Sequence, residues 1–176
     1  MSQAILTRLT RLSDTSLIAH WFTEEHGLVK TAAKGARRPN SPFAGKLDLF
    51  FGGEITYAKA PRGELHSLRE VAISDWREGL RRDYPSTLLA AYFCQLLEMA
   101  VEPEHPEPLL FDLLRRALDH VATQAPSQRA LRHFERELAR LLGVTHDLAT
   151  PDACLRNALG SLPAGRSQVI EQIGTR

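Results

Sequence analysis

The sequence predicts an α+β chain: a small closed β-barrel of about five strands, followed by an all-α helical bundle. Three observations predict it. Apolar residues recur with period two through the first seventy residues, glycines and tight turns fall where a sheet must curve, and from Ser74 onward the apolar period becomes helical.

The strand elements follow in order. SLIAHWFT alternates, with Leu17, Ala19 and Trp21 on one side and Ile18, His20 and Phe22 on the other; Glu24, Glu25, His26 and Gly27 then turn the chain into LVKTAAK. In that segment Val29, Thr31 and Ala33 share a face suited to a core, so Lys30 and Lys34 share the opposite face with only Ala32 between them. KLDLFFGGEITYAK reads as a strand pair or one long bent strand, with Gly52-Gly53 as a bulge or corner. APRGE makes a tight turn into LHSLREVAI. This many short strands with curvature signals suits a closed barrel better than a flat sheet.

The helical part begins with Ser74 as a loose cap for DWREGLRRD, which Tyr84-Pro85 should end. Ser86 should then cap TLLAAYFCQLLEMAVE, whose Leu89, Phe93, Leu96 and Leu97 mark a core stripe. EPEHPEP connects to a helix opened by Pro108, with Leu110, Leu114, Leu118 and Val121 inward. SQRALRHFERELARLLG predicts another helix stopped by Gly143, and Thr150-Pro151-Asp152 starts a short one that ends at Gly160. The remaining LPAGRSQVIEQIGTR reads as a frayed tail.

Composition excludes several classes of function. No apolar run is long enough to span a bilayer and no signal peptide opens the chain, so a cytoplasmic protein is expected, without a membrane partner. Two cysteines, Cys94 in an apolar run and Cys154 far from it, give neither a disulfide framework nor zinc spacing. The seven histidines are scattered singly, and no phosphate loop, GxGxxG, HExxH or GxSxG occurs. Glu135 and Glu137 read as a solvated face paired with Arg136 or Arg140, not as an acid and base. Neither catalysis, metal nor cofactor is expected.

What remains is charge placement. The formal net charge is only +1, yet residues 28–46 carry Lys30, Lys34, Arg37, Arg38 and Lys46 with no acid. Residues 1–70 hold ten Lys and Arg against seven Asp and Glu, whereas residues 71–176 hold twelve against fourteen. Gly35 permits a sharp turn between the lysine strand and the arginine pair. Phosphates are held by such donors on an open groove, and five-stranded barrels are a common platform for single strands. Phe43, Phe50 or Tyr57 could supply base stacking, although core packing is the ordinary use of each.

The residues also carry a resemblance. AILTRLTRLSDTSLIAHWFTEEHGLVKTAAKGARRPNS, a strand with a T-x-E-H-G turn followed by a lysine strand and K-G-A-R-R-x-x-S, resembles the amino-terminal barrel of the bacterial recombination mediator protein O (RecO) family. AAYFCQLLEMAVEPEHPEPLLFDLLRRAL is similar to that family's tyrosine helix, acidic proline linker and L-F-x-L-L helix, and RHFERELARLLGVTHDL to its F-E-x-x-L-L-x-x-L-G helix. The resemblance spans about residues 4–148, in order. Many members carry a four-cysteine zinc module next, where this sequence has only Cys154; a shortened member without a zinc site is therefore expected, with Gln95 in place of a usual glutamate.

The resemblance implies an OB-fold domain over residues 1–74 and a helical bundle over 75–176. It implies a non-catalytic mediator of DNA repair and recombination, located with the nucleoid. Such a protein binds single- and double-stranded DNA, anneals complementary strands, and acts with recombination protein R and single-strand-binding protein to load recombinase at gaps. The family's basic barrel positions fall on Lys30, Lys34, Arg37 and Arg38. Arg115, Arg116, Arg129 and Arg132 are the candidates for a second basic surface that takes DNA or the acidic tail of single-strand-binding protein. The alternative is a scaffold of the same family that has lost DNA binding and docks a protein partner through its helices.

Overall fold

A computed structural model of the chain describes residues 1–174. The chain forms two compact units, one of residues 1–77 with 101–111 and one of residues 78–100 with the chain from Asp112 onward.

The first unit is the five-stranded closed barrel that the alternating pattern predicts. Its strands are β1 (Ser2–Arg11), β2 (Leu17–Thr23), β3 (Gly27–Ala33), β4 (Gly52–Ala58) and β5 (Leu65–Asp75), ordered β1-β2-β3-β5-β4 around the wall. All neighbours are antiparallel except β3 and β5, which run parallel with Lys30 beside Leu65. Ala4, Leu6, Ala19, Trp21, Ala33, Ile55, Leu68 and Val71 fill the interior. Trp21 is fully buried and donates its indole N–H to Thr31 Oγ1 at 3.0 Å, so the polar edge of the largest core side chain is satisfied.

The T-x-E-H-G motif is a closed turn: Thr23 Oγ1 donates to the Gly27 carbonyl at 3.0 Å and accepts the His26 N–H at 3.1 Å. Gly27 has φ +64°, and a Cβ there would lie 1.9 Å from the His105 carbonyl oxygen. Only glycine fits both conditions. Residues 101–111 lie along the barrel here, with Leu28 bridged to Pro103 and the Phe22 ring 6.0 Å from Phe111.

Three expectations about the elements are corrected. KLDLFF is not a strand: Phe50 adopts φ +71°, which breaks the extended run, and β4 begins at Gly52 with the expected irregularity between Gly52 and Gly53. Ser74 does not start a helix, because β5 continues to Asp75 and only Glu78–Arg81 forms a 3-10 turn. Pro85 does not end a segment; it sits in the first turn of α1 (Tyr84–Ala100), where its missing N–H costs nothing, and the Asp83 carboxylate accepts the Ser86 N–H at 2.8 Å.

The second unit also contains α2 (Pro108–Thr123, which begins in the first unit's segment), α3 (Gln128–Leu141), α4 (Pro151–Leu159) and α5 (Arg166–Gly174). Ser127 caps α3 by accepting the Ala130 N–H, and Gly143 (φ +69°) and Gly160 (φ +78°) follow α3 and α4 in the left-handed region. The expected frayed tail is the docked helix α5, with Val169 and Ile173 buried. It is tied down by charge. Arg166 forks onto Glu135, Nε to Oε1 at 2.7 Å and Nη2 to Oε2 at 3.0 Å, and Tyr92 donates its hydroxyl to Glu135 Oε1 at 2.6 Å. Glu135 is therefore no solvated residue, as its sequence neighbours suggested, but a carboxylate only 1 % exposed. The buried hydroxyl of Tyr92 has its pKa pushed well up, first by desolvation and then by that carboxylate.

Candidate nucleic-acid interface

The basic stretch begins on β3 and continues as an ordered loop. Val29, Thr31 and Ala33 are fully buried, while Lys30 is half-exposed and Lys34 exposed. The two lysines thus emerge on the outer face, as strand period two dictates. After Gly35 (φ +68°) the chain advances by successive tight turns, with N–H to carbonyl bonds from Arg38 to Gly35, Ser41 to Arg38, Ala44 to Ser41 and Lys46 to Phe43. Phe43, 7 % exposed, plugs the loop into the barrel core, and Phe50 is buried as well, so neither is a stacking platform. Tyr57 lies flat against His66, 5.2 Å between centroids and 7° between planes.

Lys34, Arg37 and Arg38 come out exposed at one end of the barrel beside the β1–β2 loop. Gly35 N–H donates to Ser16 Oγ at 3.1 Å, Arg37 N–H to the Thr15 carbonyl at 3.0 Å, and the Arg37 guanidinium to the Asp14 carbonyl at 3.1 Å. These bonds fix the loop's backbone while leaving most donors of the arginine pair to solvent; the Arg38 stem folds over Gly35. Lys46 is placed differently. It lines a hollow of about 230 Å3 on the β4–β5 side with Glu54, Arg69 and Glu70, among acids that offset its charge. Lys30 is also not simply presented, because its ammonium sits 3.0 Å from Glu64 Oε2. The sequence reading missed Glu64; its signal was its place just before β5, which runs parallel to β3 beside Lys30.

In the helical unit the four arginines divide. Arg116 and Arg129 line a groove of about 610 Å3 between α1, α2 and α3, whose apolar floor includes Phe93, Leu113 and Phe134, with His120 and His133 at its rim. The Phe93 and Phe134 rings stack there at 4.2 Å. Arg115 bridges Asp112 and Asp119, and Arg132 reaches Gln128 at 3.4 Å. Asp112 also holds Arg116 at 2.8 Å, and the Arg115 hydrogen bond leads in keeping the Asp112 carboxyl below its ordinary pKa. Cys94 and Cys154 are both buried. Among the described residues no group of His, Cys, Asp and Glu is arranged to hold a metal ion, and no helix is long and apolar enough to cross a membrane.

A closed five-stranded barrel with a basic loop and lysine strand, joined to a helical unit, is an OB-fold protein of β-then-α plan. Sequence comparison narrows the class. The family models described as Recombination protein O N terminal and Recombination protein O C terminal match residues 1–77 and 81–159, and the chain belongs to the RecO family. It is 32 % identical over 154 residues to the DNA repair protein RecO of Pelobacter propionicus, covering 88 % of this chain and 61 % of that one. To the DNA repair protein RecO of Rhodopirellula baltica it is 30 % identical over 155 residues, covering 88 % and 57 %. The chain thus spans about three fifths of the length of these relatives.

Proposed function

We propose that this chain is a non-catalytic DNA-binding mediator of DNA repair and recombination, which holds backbone phosphates on its barrel and does no chemistry on the DNA. The observation that carries this reading is the cluster of Lys34, Arg37 and Arg38, exposed together on a loop whose backbone is already fixed by Thr15 and Ser16. A preordered loop loses little conformational entropy when a strand binds. The relatives' name, DNA repair protein, supports the same role. In that role the chain binds single- and double-stranded DNA in the cytoplasm at the nucleoid, anneals complementary strands, and works with recombination protein R and single-strand-binding protein to load recombinase. The groove bearing Arg116 and Arg129 suits an acidic tail with apolar residues, the chemistry expected of single-strand-binding protein, since its floor is apolar and its rim basic.

The test is a fluorescence-anisotropy titration of single-stranded DNA across a salt series, with the wild type and a Lys34→Ala, Arg37→Ala, Arg38→Ala variant. Each phosphate contact contributes about −0.7 to the slope of log affinity against log salt, so the triple variant should bind more weakly with a slope shallower by about 2. Equal binding by both proteins would remove these residues from the interface, and no binding by the wild type at low salt would refute the DNA reading. A second reading, a scaffold that docks only a protein partner, is motivated by the acids that neutralise Arg115 and Arg116. Recovery of single-strand-binding protein from a nuclease-treated lysate, together with a null DNA titration, would favour it.

A further inference from the structure

His66 carries an anomaly that DNA binding does not explain. It lies two residues before the core residue Leu68 on β5, opposite the fully buried Thr31 of β3, and is itself 3 % exposed. Its Nδ1 accepts the Ala60 N–H at 3.2 Å, so the ring is neutral and carries its proton on Nε2. That N–H is buried and has no aligned hydrogen-bond partner among the described residues, although Glu104 Oε1 lies 3.0 Å from the nitrogen. The carboxylate is close enough to attract a charge, yet it stands off the line that a neutral N–H needs.

Glu104 reaches this position at a cost. Its φ is +57°, in the left-handed region that penalises non-glycine residues, and it is kept there by an N–H donated to the Leu28 carbonyl at 3.0 Å beside the Leu28–Pro103 bridge. Tyr57 of β4 lies flat on the imidazole, and the His26 ring of the β2–β3 turn, 3.9 Å from Glu25, meets Tyr57 edge-on at 6.1 Å. Burial first, then the charges of Glu104 and Glu25, raise the pKa of the Tyr57 hydroxyl, so both carboxylates are felt at this end of the barrel. Of the flanking cations, Lys30, beside Leu65, is paired with Glu64, and Lys59 and Arg62 are exposed on the turn between β4 and β5.

We propose that His66 is a proton-operated latch: neutral, it fastens the β4–β5 turn through Ala60; protonated, it releases that turn and fastens the 101–111 segment through Glu104. The exclusivity comes from one atom. An imidazolium donates from both nitrogens and accepts at neither, so a proton on Nδ1 sets two N–H groups against each other at Ala60. The same proton turns the misaligned Glu104 contact into an ion pair, whose attraction depends on distance more than on angle. The turn carries Lys59, Arg62 and Glu64, the last on the Lys30 ammonium, so its release alters the charge displayed beside β3. The latch does not depend on DNA being bound.

Nuclear magnetic resonance of the whole chain between about pH 8 and about pH 5 tests this, following the His66 ring nitrogens and the hydrogen-exchange protection of the Ala60 amide. The ring should pass from the Nε2–H tautomer to the cation, and Ala60 protection should fall about fivefold with the same midpoint, the loss of one hydrogen bond. In Glu104→Gln that shared midpoint should move to lower pH, because the anion that favours the cation is gone. In His66→Gln the Ala60 protection should stay flat, since an amide carbonyl accepts at every pH. A ring that stays neutral down to about pH 5, or one that protonates while Ala60 remains protected, would overturn the latch. An unmoved midpoint in Glu104→Gln would overturn it too, as would a fall in Ala60 protection over the same range in His66→Gln. Should His66→Gln fail to fold, as judged by circular dichroism, the wild type and Glu104→Gln, altered at a side chain 37 % exposed, decide the matter.

Discussion

Replacing Arg166 by alanine should undo the docking of α5 and destabilise the helical unit by about 3–5 kcal/mol, the usual cost of removing one partner from a buried ion pair. The structure indicates why the cost is near that range. Glu135 is 1 % exposed and Arg166 has a side chain 18 % exposed; they are joined by a two-pronged contact of 2.7 and 3.0 Å. After the substitution the carboxylate keeps, among the described residues, the Tyr92 hydroxyl at 2.6 Å. One hydrogen bond recovers about 1.5–3 kcal/mol when its acceptor is charged, so the lower end of the range, about 3 kcal/mol, is the better expectation. For a chain of this length that corresponds to a fall in Tm of about 6–12 °C. Thermal unfolding by circular dichroism measures it, and hydrogen exchange at Val169 and Ile173 reports whether α5 has come free. A loss below about 1 kcal/mol with α5 still protected would refute the reasoning, since it would mean that apolar contacts alone hold the helix. Conversely, the combined Tyr92→Phe, Glu135→Leu, Arg166→Met variant should cost far less than Arg166→Ala, because no uncompensated charge remains.

Two further outcomes follow from the geometry. The carboxyls of Asp112 and Glu137 are held below their ordinary pKa chiefly by hydrogen bonds from Arg115 and Arg140. At Asp152 partial burial opposes ionisation, but the Thr150 hydrogen bond and the Arg166 charge outweigh it. All three bind protons more tightly when unfolded, so their stabilisation is complete above the usual carboxylate range near pH 4 and is lost as pH falls through the depressed values. Urea midpoints should be flat from about pH 7 to about pH 5 and drop below about pH 4; a constant midpoint down to about pH 3 would contradict this. Gly27→Ala should destabilise the barrel unit by more than about 1–2 kcal/mol, the cost of left-handed backbone alone, because the new methyl also meets the His105 carbonyl. Chemical denaturation checks it, and a loss below about 0.5 kcal/mol would show that the turn relaxes freely.

How much of this the sequence carries depends on range. Lys30 and Lys34 were legible as a shared outer face because strand period two is a local rule, and Gly143 and Gly160 were legible as helix stops for the same reason. The Lys30–Glu64 pair was not, since it links positions 34 residues apart through a parallel pairing that no local pattern encodes. Lys46 illustrates the opposite error: proximity in sequence to Arg38 suggested one surface, but four turns and the Phe43 plug carry the chain to the β4–β5 side before it arrives. Glu135 misled because Arg136 and Arg140 are near in sequence, although its position four after Leu131 and three before Leu138 already marked the buried stripe. Its true partner, Arg166, lay in a segment whose glycine, serine and proline content disguised a helix start.

The closed barrel has a consequence for how the protein is made. Its wall is completed only when β5 reaches β3 and Gly52–Ile55 pairs back onto Ser2–Ile5, so β1, β2 and β3 alone leave two open strand edges. On a ribosome adding about 5–20 residues per second, the stretch from Ala33 to Asp75 takes about 2–8 s to appear. During that interval the half-built sheet offers unpaired backbone to any neighbouring chain. The polar, positively charged loop that follows β3 is the first thing to emerge beside those edges, where mutual repulsion between nascent copies would keep them apart until the ring can shut.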